Sequence, residues 1–109
     1  EEAKAALSGI GYALTHHTPQ MTTPALATDP EDAFSLSVLG ICREFAGSGI
    51  ELAGMPYGTD AAWVSDLAPA LVLGPGDIAS AHAVGEWISV EEVLTCARIY
   101  REILVRPHG

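Results

Sequence analysis

Phe34, Val38, Ile41, Cys42 and Phe45 recur at three- and four-residue spacing, the pattern of a helix with one apolar face. Its start is predicted at Asp29-Pro30-Glu31-Asp32. Asp29 suits the N-cap, Pro30 the first helical position, and the two acids the positive end of the dipole. Gly47-Ser48-Gly49 ends it. A second helix begins at Ser89-Val90-Glu91-Glu92, a capping-box sequence, and stops at Pro107. Val93, Ala97, Tyr100 and Leu104 line one face, with Arg98, Arg101 and Arg106 toward its C-terminal half. Between these helices, Ile50–Met55 and Ala70–Leu73 read as short strands. Thr59-Asp60 opens a short helical stretch through Val64.

Near the start, residues 1–9 carry helix formers closed by Ser8-Gly9, and residues 11–17 read as a strand. Pro19, Pro24 and Pro30 punctuate a polar connector. Helix, strand, strand, helix after residue 29 points to α/β packing. Two strands do not make a stable sheet, so the remainder of the sheet is expected from residues outside this chain.

Composition narrows the function classes. The 109 residues suit one small domain, and 49% are apolar, which favours a packed core. The net charge of −9 repels phosphate backbones and argues against nucleic-acid binding. No apolar run has the roughly 18 residues of a membrane span. The chain opens on Glu1-Glu2-Ala3-Lys4 without a leader and reads as a piece of a longer protein. Cys42 and Cys96 fall on apolar helical stretches and read as buried small hydrophobes, without support for a disulfide. No Cys-x-x-Cys spacing suggests a zinc finger or thioredoxin-like site.

Candidate chemistry centres on His82. It follows the 70–73 strand and the Gly74-Pro75-Gly76 turn, and it precedes the last helix. A loop at the end of a sheet strand is where α/β proteins place their sites, and neutral imidazole is a zinc ligand. Asp77 and Glu86 flank it, and either carboxylate suits the orientation of a ligand histidine. Asp60 reads as a helix cap or as a third acid.

Other patterns carry less. Gly74-Pro75-Gly76-Asp77-Ile78-Ala79 matches G-x-G-x-x-A, but Pro75 lacks a backbone donor and the helix is expected only at residue 89. A nucleotide-binding domain is therefore disfavoured. His16 and His17, adjacent on a strand, point to opposite faces and do not share one metal. His108 is expected to be exposed. No serine sits on a Gly-x-Ser-x-Gly elbow, so no Ser-His-Asp set is argued.

From Met55 to Leu104 the chain resembles the C-terminal end of the zinc aminoacylase/carboxypeptidase family. That family includes acetylornithine deacetylases, succinyl-diaminopimelate desuccinylases, carboxypeptidase G and aminoacylases. The likeness rests on Gly54-Met55-Pro56-Tyr57-Gly58-Thr59-Asp60-Ala61, on Pro69 through Gly76, on Ala81-His82, on Glu86-Trp87-Ile88 and on the terminal helix with Tyr100. Weaker similarity runs back through Pro24-Ala25-Leu26.

The resemblance implies an α/β fold: the C-terminal part of a zinc-exopeptidase-like catalytic domain, preceded by the end of an inserted lid that mediates dimerisation. Residues 1–22 would end the lid, 23–30 form the hinge, and 31–109 belong to the catalytic domain. It implies a cytoplasmic homodimer. Its two zinc ions, with cobalt or manganese as alternatives, would serve hydrolysis of an N-acyl amino acid or small peptide. His82 matches a zinc ligand. Gly58 and Thr59 match a substrate-carboxylate loop, and Gly74 and Gly76 the turn beside the metals. Glu86 and Asp77 are the candidates to support the histidine, Glu86 ahead because Gly85 stands where relatives often carry aspartate. The general base and the other ligands lie upstream, so this polypeptide alone should be inactive and depend on the N-terminal part of the same enzyme. The rival reading is a non-enzymatic acidic α/β binding module.

Overall fold

The computed structural model describes residues 22–108, with Gly9, Gly11, Thr15, His17, Thr18 and Pro19. The expected helix at 1–9 and strand at 11–17, and with them the end of the lid, lie almost wholly outside the described residues.

Helix α1 spans Ala33–Ala46. It starts three residues beyond the expected Asp29 end. Asp32 is the N-cap, its Oδ1 accepting from the Phe34 N–H at 2.9 Å. Asp29 builds the preceding turn instead: its side chain accepts from Glu31 N–H and its carbonyl from Asp32 N–H. Two aspartates at this spacing compete for the cap, and the apolar face from Phe34 favours the second. Gly47 closes the helix at φ 115°, a backbone conformation that L side chains rarely adopt.

Helix α2 spans Val90–Val105 and starts as the capping box dictates. Ser89 Oγ accepts from the Glu92 N–H at 3.2 Å, and the Glu92 carboxylate accepts from the Ser89 N–H at 3.4 Å. It ends at Arg106, one residue before Pro107.

The two helices pack on each other around Val38, Ile41, Cys42 and Ile99. Phe34, Phe45, Leu71, Leu73 and Ile103 pack against that cluster. The face that α2 buries is thus Cys96, Ile99 and, in part, Ile103. The stripe of Val93, Ala97, Tyr100 and Leu104 points outward. Both sets have helical spacing, so periodicity could not choose between them; the packing partner chose. Cys42 and Cys96 are buried free thiols, and burial, reinforced by nearby Cys96, pushes the Cys42 thiol above its ordinary range.

Polar contacts tie the pair together. Arg106 forks onto Glu44 of α1 at 2.7 and 3.1 Å, holds Glu102 at 2.9 Å and lies over the Phe45 ring. His108, expected to be exposed, is half-buried: its Nδ1 meets Ser37 Oγ at 2.9 Å, its Nε2 meets the Ile103 carbonyl, and its ring stands edge-on to Phe34. Ser37 and Phe34 of α1 thereby hold the chain just past the C-terminal end of α2.

The expected strands are a correction. Among the described residues there is no strand. Residues 50–55 and 70–73 run without ladder partners, because a strand is defined by the neighbour it bonds to. Substitutes are local. Arg43 Nε donates to the Ile50 carbonyl at 2.8 Å. The Thr28 hydroxyl donates to the Ala70 carbonyl and accepts from the Ala70 N–H. Two 3-10 turns complete the structure, Asp60–Trp63 capped by Thr59 and Ile78–Ser80 capped by Asp77. Asp60 lies in the first turn of its element and is not the cap.

Candidate functional site

The loop from Gly74 to Ile88 is built almost entirely from its own residues. Gly76 turns at φ 93°, a backbone conformation that L side chains rarely adopt, and Ile88 Cδ1 lies 3.4 Å from where a Cβ would stand, an ordinary contact. Asp77 Oδ1 accepts from the Ala79 N–H at 2.9 Å, and the Ala81 N–H reaches the Ile78 carbonyl. His82 follows at φ 58°, the one described non-glycine residue with positive φ. The left-handed region costs an L residue about 1–2 kcal/mol, and strained residues of this kind concentrate at functional positions. Glu86 Oε2 accepts from the His82 N–H at 3.2 Å and compensates the bend. Both flanking carboxylates therefore hold backbone, Asp77 at the entrance and Glu86 under the histidine itself. The His82 side chain is exposed, and Val84 beyond it is wholly so.

Gly58 and Thr59 stand elsewhere, in the wall of a cavity of about 330 Å³ between residues 50–59 and 71–73. A second, more open cleft of about 770 Å³ is lined by Gly74, Pro75, Gly76, Asp77, Ala81 and Glu86. Met55, Tyr57, Val72 and Leu73 border both. The His82 loop and the Gly58-Thr59 turn thus flank one apolar ridge from two sides. His82 itself lines neither space.

The arrangement supplies one imidazole toward a metal. Among the described residues no three His, Cys, Asp or Glu side chains converge to hold an ion. Zinc requires three or four protein donors, so His82 fits one place in a donor set and the described residues do not complete it. His17 lies among the described residues without such a grouping, and His16 lies outside them. The G-x-G-x-x-A match fails as expected, since only a three-residue turn follows Gly76 and α2 begins at Val90.

Sequence reasoning missed a further contact. The Tyr100 hydroxyl donates to the Leu73 carbonyl at 2.5 Å. Tyr100 falls on the Val93-Ala97-Leu104 stripe of its helix, and nothing in the spacing shows that its hydroxyl reaches a backbone group 27 residues earlier. Partial burial, then the Cys96 thiol, raise the Tyr100 pKa above the ordinary phenol value, so the donor keeps its proton at neutral pH.

Comparison with known proteins adds an independent line. The model of peptidase family M20/M25/M40 matches residues 10–106. An acetylornithine deacetylase of Myxococcus xanthus is 43% identical over 63 residues, which are 57% of this chain and 16% of that protein. The chain accordingly spans a small part of that relative's length. No solved structure is significantly similar.

Proposed function

Because the chain belongs to peptidase family M20/M25/M40, we propose that it is the C-terminal part of a zinc-dependent amidohydrolase of the deacetylase type. Its substrate would be an N-acyl amino acid or small peptide. The observation that carries this reading is a family match running through the His82 loop and both neighbouring cavities, from residue 10 to residue 106. The likeness to an acetylornithine deacetylase favours removal of an acyl group from an amino acid.

In this reading His82 gives one neutral nitrogen to one of two zinc ions. Bound zinc supplies Lewis-acid polarisation of the scissile carbonyl and a lowered pKa for attacking water. The chain's own residues do the rest of its share. Glu86 and Asp77 hold the loop that presents the imidazole. Gly58 and Thr59 offer a backbone N–H and a hydroxyl to a substrate carboxylate. The general base, the remaining ligands and the rest of the α/β sheet come from the N-terminal part of the same enzyme. Residues 1–22 belong to a lid that dimerises, and 23–30 to its hinge. The enzyme works as a cytoplasmic homodimer. No helix of the described residues is long and apolar enough to cross a membrane.

The test uses the full-length enzyme, with metal analysis beside turnover of an N-acyl amino acid. His82→Ala should lose about one zinc per active site with the fold retained, and about 10²-fold or more in rate. His16→Ala and His17→Ala should keep both metals. Full zinc occupancy with near-normal turnover in His82→Ala overturns the assignment. The 109-residue chain alone should show no turnover.

A further inference from the structure

Among the described residues, every hydrogen bond made by residues 74–88 is internal to that loop. Asp77 bonds within it, Glu86 bonds within it, and the 3-10 turn closes on itself. An internally bonded loop keeps its shape but has no fixed attitude toward the helices. Its attitude is set where its two ends join the core: at the Ser89 cap of α2, and at Leu73, whose side chain packs against the helix cluster and whose carbonyl receives the Tyr100 hydroxyl. Gly74, Pro75 and Gly76 follow at once. Pro75 has no N–H to donate, and Gly76 tolerates a wide range of backbone angles, so the turn cannot orient itself.

We infer that Tyr100 is a positioning residue for the His82 loop, its hydroxyl fixing the Leu73 carbonyl and with it the direction in which the Gly74-Pro75-Gly76 turn sends His82. The inference rests on the reading of His82 as a metal ligand for its functional consequence, but the anchoring itself does not need the metal. Three features converge. The bond is short and spans 27 residues, so it joins helix α2 to the loop's root. The phenol's pKa is raised above its ordinary value by burial, so it is a donor at neutral pH. Ile88 lies near Gly76 just before Ser89 caps α2, so the loop returns to the helix that carries Tyr100. Groups beyond the ligands themselves commonly tune a metal site by orienting what holds it.

The experiment uses the full-length enzyme and three variants. Tyr100→Phe keeps the ring and removes only the hydroxyl. Arg106→Met cuts the fork onto Glu44 and loosens the helix pair without touching Leu73. His82→Ala reports on the ligand itself. Two quantities are read: amide hydrogen exchange of a peptide covering residues 74–88 in metal-free protein, and zinc affinity by competition with a chelator. Tyr100→Phe should exchange about fivefold to tenfold faster in that peptide, as expected for one lost hydrogen bond. It should also bind the His82-dependent zinc about tenfold more weakly. Arg106→Met should lower the thermal midpoint and leave both quantities at their wild-type values.

Unchanged exchange in Tyr100→Phe overturns the inference. So does a parallel change in Arg106→Met, because that would make Tyr100 one more stabilising contact. Faster exchange with unaltered zinc affinity overturns the link to the metal. If His82→Ala keeps both zinc ions, the ligand reading falls, and the exchange result still decides whether Tyr100 anchors the loop.

Discussion

Helices α1 and α2 satisfy their backbones within themselves and bury Val38, Ile41, Cys42 and Ile99 between them. Residues 50–88, which join them, form two short 3-10 turns and leave Met55, Tyr57, Trp63, Leu67, Val72 and Trp87 exposed. The apolar content of the joining segment is that of a core, yet of its large apolar side chains only Leu71 and Leu73 pack against the helix cluster. The difference is in where each element finds its hydrogen bonds. A helix closes its bonds four residues away, so a capping box and one apolar stripe suffice to form it and a neighbour suffices to bury it. A strand's partner lies across a sheet, and no local signal replaces a missing neighbour. Residues 50–88 carry strand-like apolar composition with no ladder partner among the described residues.

The largest expected effect breaks or sustains that contrast directly. The isolated 109-residue chain should retain helical circular dichroism from α1 and α2 but aggregate or unfold without a cooperative transition, because a large apolar surface stays uncovered. Addition of the N-terminal part of the parent enzyme should restore a cooperative transition. A monomeric chain that melts cooperatively on its own, by ultracentrifugation and calorimetry, would show that residues 50–88 need no partner.

The contrast also marks what was legible in the sequence. The cap at Ser89 and the stop at Gly47 are decided within a few residues, and the pattern showed them, as it did the burial of Cys42 and Cys96. The start of α1 slipped from Asp29 to Asp32 because two adequate caps stood three residues apart. Which face of α2 is buried was not legible, because Val93, Ala97, Tyr100 and Leu104 repeat as well as Cys96, Ile99 and Ile103 do. Strands 50–55 and 70–73 were read from composition that suits a sheet, and the described residues hold no sheet to receive them. At the candidate site, His82 and its flanking acids were visible as a motif. The left-handed backbone of His82, the grip of Glu86 on its N–H and the reach of Tyr100 to Leu73 were not, since each depends on how the loop is folded.

Within the full-length enzyme, truncation should separate the two regions by magnitude. Ile99→Ala empties a site that is 4% exposed at the centre of the helix pair and should cost about 2–5 kcal/mol. Val84→Ala, at a residue with no burial in this chain, should cost less than about 0.5 kcal/mol. Denaturant midpoints measure both. A cost at Val84 comparable to that at Ile99 would mean that the loop tip is covered in the assembled enzyme.

A smaller effect belongs to the cap. Ser89→Ala removes the acceptor for the Glu92 N–H and should cost about 1 kcal/mol. Ser89→Asp keeps an acceptor in reach and should recover most of it. If Ser89→Ala is silent in the denaturant midpoint, α2 is held by packing alone, and local capping did not decide where it begins.

The smallest effect is a matter of sign. The Arg106 guanidinium, bonded to Glu44, holds that carboxyl below its ordinary value of 4.5. A carboxyl with a lowered folded-state pKa contributes stability that is fully present above the unfolded value and is lost as pH falls through the folded value. The Glu44–Arg106 pair should therefore support the helix contact at neutral pH and weaken it only on acidification below about 4.5. Glu44→Gln removes the titrating group. Its stability deficit against wild type should be constant above that pH and shrink toward zero below it. The pair is exposed and screened by salt, so the deficit should be small and should fall as ionic strength rises. Urea midpoints of wild type and Glu44→Gln across the acid range, at low and high salt, measure it. A deficit that grows on acidification would have the wrong sign for this pair and would place the acid sensitivity of the helix contact in another group.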